Sequence, residues 1–197
     1  MLNDLKINII KYPTEEDWLI VKNNSLVTMG KHSEKLPDET WKIKILKSEH
    51  SPIRSLQYIW EWENLPYYIA MHFRTHNIGI LHFISTQRND RQEQYDRRKA
   101  PQDSPVTHKC VANAQAIINI SKVRMCHKST KETRDAWILF LEELFKYSYE
   151  LAQLCAANCI YRNGICPEFE SCGYNKTAIY KKQQEAYLNL LQGEIMT

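Results

Sequence analysis

Along this chain, stretches in which every second residue is apolar give way to stretches with apolar residues three to four apart, so strand and helix signals take turns. Ile7-Asn8-Ile9-Ile10 predicts a short first strand. Pro13-Thr14-Glu15-Glu16-Asp17 then supplies the acidic opening turn of a helix, from which Trp18, Val21, Leu26 and Val27 face a core. Pro37-Asp38-Glu39-Thr40 opens a second short helix carrying Trp41, Ile43, Ile45 and Leu46, and Ser51-Pro52 ends it. From Arg54 to Trp62, Leu56, Tyr58, Trp60 and Trp62 alternate with Gln57, Ile59 and Glu61, as in a half-buried strand. Pro66 begins a helix that Tyr67 to Ile80 continue, with Ile69, Ala70 and Phe73 turned inward.

Periodicity then stops. Arg88 to Pro105 sets Arg91, Arg97, Arg98 and Lys99 against Asp90, Glu93 and Asp96 and ends in Pro101 and Pro105, which predicts a long loop of the kind that carries function or moves. A helix is expected from about Thr107 to Ser121. The pattern Ser129-x-x-Glu132 is a capping box that should start the longest helix, whose one face holds Trp137, Leu141, Leu144, Ser148, Leu151 and Cys155. Cys159 to Tyr174 reads as a loop and the residues after Lys176 as a polar helix. Residues 1–176 are therefore expected to form one catalytic domain, with 177–197 as its helical tail.

The bulk numbers narrow the class. A chain of 197 residues suits one domain with a sizeable core, and 43% hydrophobic with 25% charged residues is ordinary for a soluble fold. No run of 18 apolar residues is present to span a bilayer, and Met1-Leu-Asn-Asp-Leu-Lys lacks the features of a secretory signal, so a cytoplasmic protein away from membranes is expected. A net charge of +3 is too small to argue for a surface that binds duplex nucleic acid, but suits small anionic ligands. In a reducing compartment the 6 cysteines are buried thiols, metal ligands or reactive groups rather than disulfides.

Chemistry concentrates first between His50 and Arg91. His72, Arg74, His76, His82, Gln87 and Arg88 crowd hydrogen-bonding and phosphate-capable groups among enough apolar residues to be partly buried, and buried charge needs a partner such as a ligand phosphate. A solvated helix end with ordinary surface arginines is the plain alternative. His50-Ser51-Pro52, the strand to Trp62, Pro66, Thr75-His76-Asn77 and then, after a seven-residue gap, Ser85 together resemble the flavin-dependent thymidylate synthase (ThyX) family, in which Arg-His-Arg, seven residues and Ser follow a Pro turn, a strand and a Pro-initiated helix. Thr75 and Asn77 stand where that family has arginines, with Arg74 one residue earlier. The family's histidine after the Pro turn falls on Ser55, its glutamine near the nucleotide on His72, its glutamate on Phe83, and its later arginine on Gln87 or Arg88.

A second segment resembles the family independently. Asn113-Ala114-Gln115, Ile117-Ile118-Asn119 and Arg124 keep the order and offsets of Asn-Ala-Arg, an apolar stretch, Asn and Leu-Arg. Without the resemblance, Asn119 reads as a core amide and Arg124 as a cation at a helix C-terminus. A family arginine in a Leu-Tyr-x-Arg context has its nearest counterpart in Ile160-Tyr161-Arg162, which here follows the asparagine segment.

What the resemblance implies is an α+β fold, a small mixed or antiparallel sheet flanked by helices with a long helix in the C-terminal half. It further implies methylation of dUMP to dTMP with methylene-tetrahydrofolate as carbon donor, FAD as carrier of reducing equivalents and NADPH as reductant, in a homotetramer. Arg124 would stabilise charge on the reacting pyrimidine; His72, Ser85, Gln87, Arg88 and Arg162 would hold the nucleotide; Ser55, Arg74, Thr75, His76, Asn77, Asn113, Gln115 and Asn119 would hold the flavin. A hydroxymethylating relative and a zinc-stabilised nucleotide-binding module without flavin chemistry are the alternatives. In either case Cys126, Cys159, Cys166 and Cys172 offer thiolates around a glycine-bearing loop that can take a structural zinc tying Arg124 to Arg162, less readily an iron–sulfur cluster, or can be small apolar fillers.

Overall fold

A computed structural model describes residues 2, 4–88, 90, 91, 96 and 98–192. Its strands are β1 (Lys6–Lys11), β2 (Gln57–Pro66), β3 (Ile80–Ile84) and β4 (Pro105–Asn113). Its helices are α1 (Glu15–Leu26), α2 (Glu39–Lys47), α3 (Tyr67–Arg74), α4 (Ala114–Arg124), α5 (Lys131–Phe145), α6 (Tyr149–Ala152), α7 (Asn158–Tyr161) and α8 (Ala178–Gln192). The strands form one antiparallel sheet in the order β1-β2-β4-β3, so the fold is α+β as expected. No helix among the described residues is long and apolar enough to cross a membrane.

Side-chain alternation decides which face of the sheet is covered. Tyr58, Trp60 and Trp62 of β2 and Val106, His108, Cys110 and Ala112 of β4 are buried beneath the helices, while Leu81 and Phe83 of β3 stand exposed on the opposite face. The covered side is aromatic. Trp60 stacks on Phe140 at 4.4 Å between ring centroids and Trp62 stacks on Phe73 at 4.8 Å, with Trp137 among them. The Trp137 Nε1 proton goes to Ser121 Oγ at 2.9 Å, which satisfies the polar edge of a wholly buried indole. Thr14 and Asp17 form a capping box at the start of α1, and Asp38 caps α2 by accepting from Trp41 N.

Four expectations about elements are corrected. The helix expected over Tyr67–Ile80 stops at Arg74, because Gly79 at φ 73° turns the chain and Ile80–Ile84 pair with β4 instead. Thr107 to Asn113 is strand rather than helix: the segment has a partner on each side, and β-branched Thr107 and Val111 alternate with its buried residues. Helix α4 begins only after Asn113. The long helix after Ser129 divides into α5 and α6, since Ser148 leaves helical geometry and its buried hydroxyl bonds Tyr58 and Glu150. The N-cap of α5 is Thr130 with no capping bond from its side chain, so the Ser129–Glu132 box does not form.

Smaller shifts follow. The second strand starts at Gln57, because Ser51–Ser55 make a 3-10 turn, and Val27 points to solvent. Between Arg88 and Pro105 the described residues pair Arg88 with Asp90, and Arg98 and Lys99 with Asp96; Glu93 and Arg97 lie outside the described residues, as do residues 193–197, for which a helix was expected.

Candidate functional site

The end of α3, the turn into β3 and the end of α4 meet at one place. Antiparallel pairing of β2 with β4 starts α3 and α4 at opposite ends of the sheet, so the two helices run in opposite senses, and it is the Arg124 side chain that links the end of α4 to the end of α3. Gly79 makes the junction possible: its carbonyl accepts from Asn113 N at 3.0 Å, and a Cβ on it would lie 2.7 Å from Asn113 Nδ2. Asn113 in turn caps α4, its Oδ1 accepting from Ala116 N at 2.9 Å.

Arg124 reaches across from the last turn of α4. Its Nε donates to His76 Nε2 at 2.8 Å, and its Nη2 donates to the His72 carbonyl at 2.6 Å and to Thr75 Oγ1 at 2.8 Å. Three of five guanidinium protons are thus used. No carboxylate pairs with Arg124 among the described residues, and burial pulls its basicity down. Its neighbours supply no negative charge either. Burial, then the Arg124 and His82 charges, lower His76 to a pKa of about 4, so the imidazole facing Arg124 is neutral near pH 7. Burial and Arg124 lower His72 as well, whose Nδ1 meets Thr133 Oγ1 at 2.8 Å. A half-buried cation held by neutral partners, with its Nη1 protons uncommitted among the described residues, is a place for an anion.

Behind it lies a relay. His82 Nε2 meets the His76 carbonyl at 2.7 Å, and because a carbonyl only accepts, that nitrogen carries the proton. His82 Nδ1 is therefore the acceptor for His108 Nε2 at 3.0 Å, and Cys110 Sγ lies 3.4 Å from both nitrogens. Burial, with the His82 charge second, lowers His108 to about 3. Burial also pushes the Cys110 thiol far up. The ligand atoms of His82, His108 and Cys110 lie within 4.8 Å of one another, so the trio has the donor types of a metal site or, as the hydrogen bonds stand, of a neutral buried network. His108 and Cys110 escaped the sequence reading because their i, i+2 spacing places them on one face only in a strand.

The remaining predicted residues are placed as follows. Arg74 and Asn77 are exposed beside Thr75 and His76. Ser85 is used by the sheet margin: its N–H donates to the Thr107 carbonyl and its Oγ accepts from Thr107 N. Gln87 follows it, half-buried, and exposed Arg88 makes a two-point ion pair with Asp90. Ser55 Oγ accepts from Asn24.

Gln115 and Asn119 belong to a different cluster. Gln115 donates to Glu49 and to Asn119 Oδ1, and Lys122 pairs with Glu49 at 3.0 Å while lying 3.7 Å over the Tyr161 ring. Burial alone would raise the Glu49 carboxyl; bonds from Tyr161, Gln115 and Lys122 hold it below its ordinary value. Bonding to Glu49, then burial, lifts Tyr161 to about 12. Arg162 is exposed at the C-cap of α7. Cys126, Cys159, Cys166 and Cys172 converge on one small cavity.

Comparison with solved structures addresses the architecture. Thymidylate synthase X from Helicobacter pylori, solved with FAD and dUMP, superposes with a TM-score of 0.60 at 13% identity, over 77% of this chain and 98% of that one. The chain has the ThyX fold. The UMP/dUMP methylase PolB from Streptomyces cacaoi, solved with 5-Br dUMP, has it as well, with a TM-score of 0.59 at 12% identity over 77% of this chain and 94% of that one. No protein-family model and no curated protein matches the chain. The ThyX fold thus persists here at an identity that leaves the site to be read from its own residues.

Proposed function

We propose that this protein is a divergent flavin-dependent enzyme of the ThyX family that binds a pyrimidine deoxynucleotide and methylates dUMP at C5, using methylene-tetrahydrofolate, FAD and NADPH. The observation that carries the reading is Arg124. Two segments selected separately, 48 residues apart between His76 and Arg124, share one hydrogen-bonded cluster around a cation that lacks a counter-ion among the described residues.

An oxyanion or an electron-rich pyrimidine fits that cation. With Nε and Nη2 fixed by His76, His72 and Thr75, the guanidinium is preorganised and its Nη1 edge can stabilise negative charge as it grows on the ring. Neutral His76 is important here, because a second cation would weaken its neighbour and a carboxylate would neutralise it. For a flavin, the donor set fits in part: Arg74 and Asn77 stand exposed next to Thr75 and His76 and can meet a pyrophosphate, whereas Asn113, Gln115, Asn119 and Ser55 already serve caps and local pairs. When bound there, FAD would supply the electrons of the reductive methyl transfer. Residues 1–176 would form the catalytic unit with 177–197 as its helical tail. Assembly as a homotetramer is part of the proposal, and the exposed Leu81 and Phe83 on the uncovered sheet face suit it. The loss of the motif arginines at Thr75 and Asn77 favours a hydroxymethyl-transferring variant as the second reading.

The experiment is direct. Purified protein incubated with FAD is freed of unbound flavin, then given dUMP, methylene-tetrahydrofolate and NADPH, and the nucleotide is weighed by mass spectrometry. A methyl increment is expected, and a hydroxymethyl increment selects the variant. Protein that retains no flavin and leaves the nucleotide mass unchanged refutes both.

A further inference from the structure

The loop after α7 presents a puzzle of cohesion. Between Arg162 and Gly173 no apolar side chain is buried: Phe169 is fully exposed and Ile165 is 67% exposed. The chain takes left-handed geometry at Asn163 (φ 50°), Gly164 (φ 93°) and Gly173 (φ 78°), which bends both ends of the loop. Burial of apolar surface therefore cannot be what holds it. Among the loop residues that border the cavity beneath it are half-buried Cys166 and exposed Cys172. Cys166 and Cys172 from the loop face Cys159 of α7 and Cys126, just past α4, around a cavity of about 10 Å³. Four cysteines around one small space suit a single tetrahedral ion.

We infer that Cys126, Cys159, Cys166 and Cys172 together bind one structural zinc ion, which ties the 162–173 loop to the ends of α4 and α7. Four thiolates fill a tetrahedral site and leave no position for water, so the ion has a folding role rather than a catalytic one. A backbone N–H already points at one sulfur, from Lys128 to Cys126 Sγ at 3.5 Å, the kind of bond that supports a metal-bound thiolate. His127 also borders the cavity, but its ring is stacked on Tyr174 at 4.0 Å, which holds it aside from the thiols. No three of the four sulfurs lie mutually within 4.8 Å, whereas neighbours around zinc stand about 3.8 Å apart for a Zn–S bond of about 2.3 Å. Binding therefore draws the exposed loop inward, a motion that disturbs no buried apolar side chain of the loop.

The His82-His108-Cys110 trio is the weaker candidate. It offers three donors, and its two nitrogens at 3.0 Å are spaced for a hydrogen bond, closer than the roughly 3.3 Å expected between two ligands of one zinc. The loop site lies apart from the reaction proposed above and does not depend on it. Its consequence is positional: Arg124 precedes Cys126 by two residues and Arg162 follows Cys159 by three.

The test uses the full chain purified without chelator. Elemental analysis should find about one zinc per chain, and replacement by cobalt(II) should give the intense visible bands of a tetrahedral thiolate complex. Cys166→Ser and Cys172→Ser should each lower zinc content at least tenfold, and Cys110→Ser should leave it unchanged. Less than about half an equivalent of zinc in the native protein overturns the proposal. So do pairs of these cysteines linked as disulfides in the native protein, a cobalt spectrum without thiolate character, or metal lost through Cys110→Ser while both loop variants keep it. If the loop variants do not fold, native zinc content and the cobalt spectrum decide alone.

Discussion

His108 is wholly buried and its pKa is lowered to about 3, so protonating it should unfold the protein from within. The folded-state value lies below the unfolded one, so the unfolded chain binds the proton more readily. The stabilising contribution is complete above about pH 6.5 and is lost as pH falls toward the folded value. For an unfolded pKa of about 6.5 and a folded one of about 3, going from pH 7 to pH 4.5 removes roughly 2–3 kcal/mol. With a urea slope near ~2 kcal/mol per molar for a chain of this size, the midpoint should fall by about 1 M from this group. Carboxylates and the other histidines titrate over the same range, so the useful comparison is with His108→Gln, which keeps an N–H toward His82 and cannot titrate. Urea unfolding at both pH values should show the variant less stable at pH 7, yet losing roughly 2–3 kcal/mol less than the native protein on acidification. Equal losses in the two proteins would refute the buried neutral imidazole.

Three further outcomes are expected. Arg124→Ala should weaken dUMP binding by about 100-fold, the cost of ~3 kcal/mol for a charge-assisted contact, with circular dichroism unchanged; native affinity by calorimetry would remove the arginine from the site. Gly79→Ala should lower stability by ~1–3 kcal/mol, because φ 73° disfavours alanine and its Cβ would meet Asn113 Nδ2 at 2.7 Å, and an unchanged melting temperature would contradict that crowding. Thr14→Ala removes half of the capping box of α1 and should cost ~1 kcal/mol in chemical denaturation, whereas no loss would mean that the box contributes nothing to stability.

The sequence was most legible where a local rule had a single answer. Thr14 and Asp38 announced α1 and α2, and the alternation from Leu56 to Trp62 announced β2 and its buried face. It misled where local and long-range demands differ. Apolar spacing through Tyr67–Ile80 satisfies a helix, but the partner that makes Ile80–Ile84 a strand is β4, far along the chain, and β4 itself was concealed by the helical residues that follow it. The candidate site shows the same division. Arg124, His76, Thr75 and His72 were named from motif spacing and are found together, while Asn113 and Ser85 carry local backbone duties that spacing does not reveal. His108 and Cys110 needed the strand assignment before their shared face could be seen.

The hydrophobic interior is not one body but two. The larger follows the sheet, and a smaller cluster gathers Ala156, Ala157, Cys159, Ile160, Tyr174, Tyr180 and Tyr187, with Met125 and Leu191 packed against both. Such a seam lets the C-terminal quarter open as a cooperative unit of its own while the sheet remains closed, so local opening there costs less than global unfolding. Because Met125 sits directly after Arg124, the seam runs beside the arginine at the centre of the candidate site, and a lesion in the small cluster would reach that arginine without touching its hydrogen-bond partners.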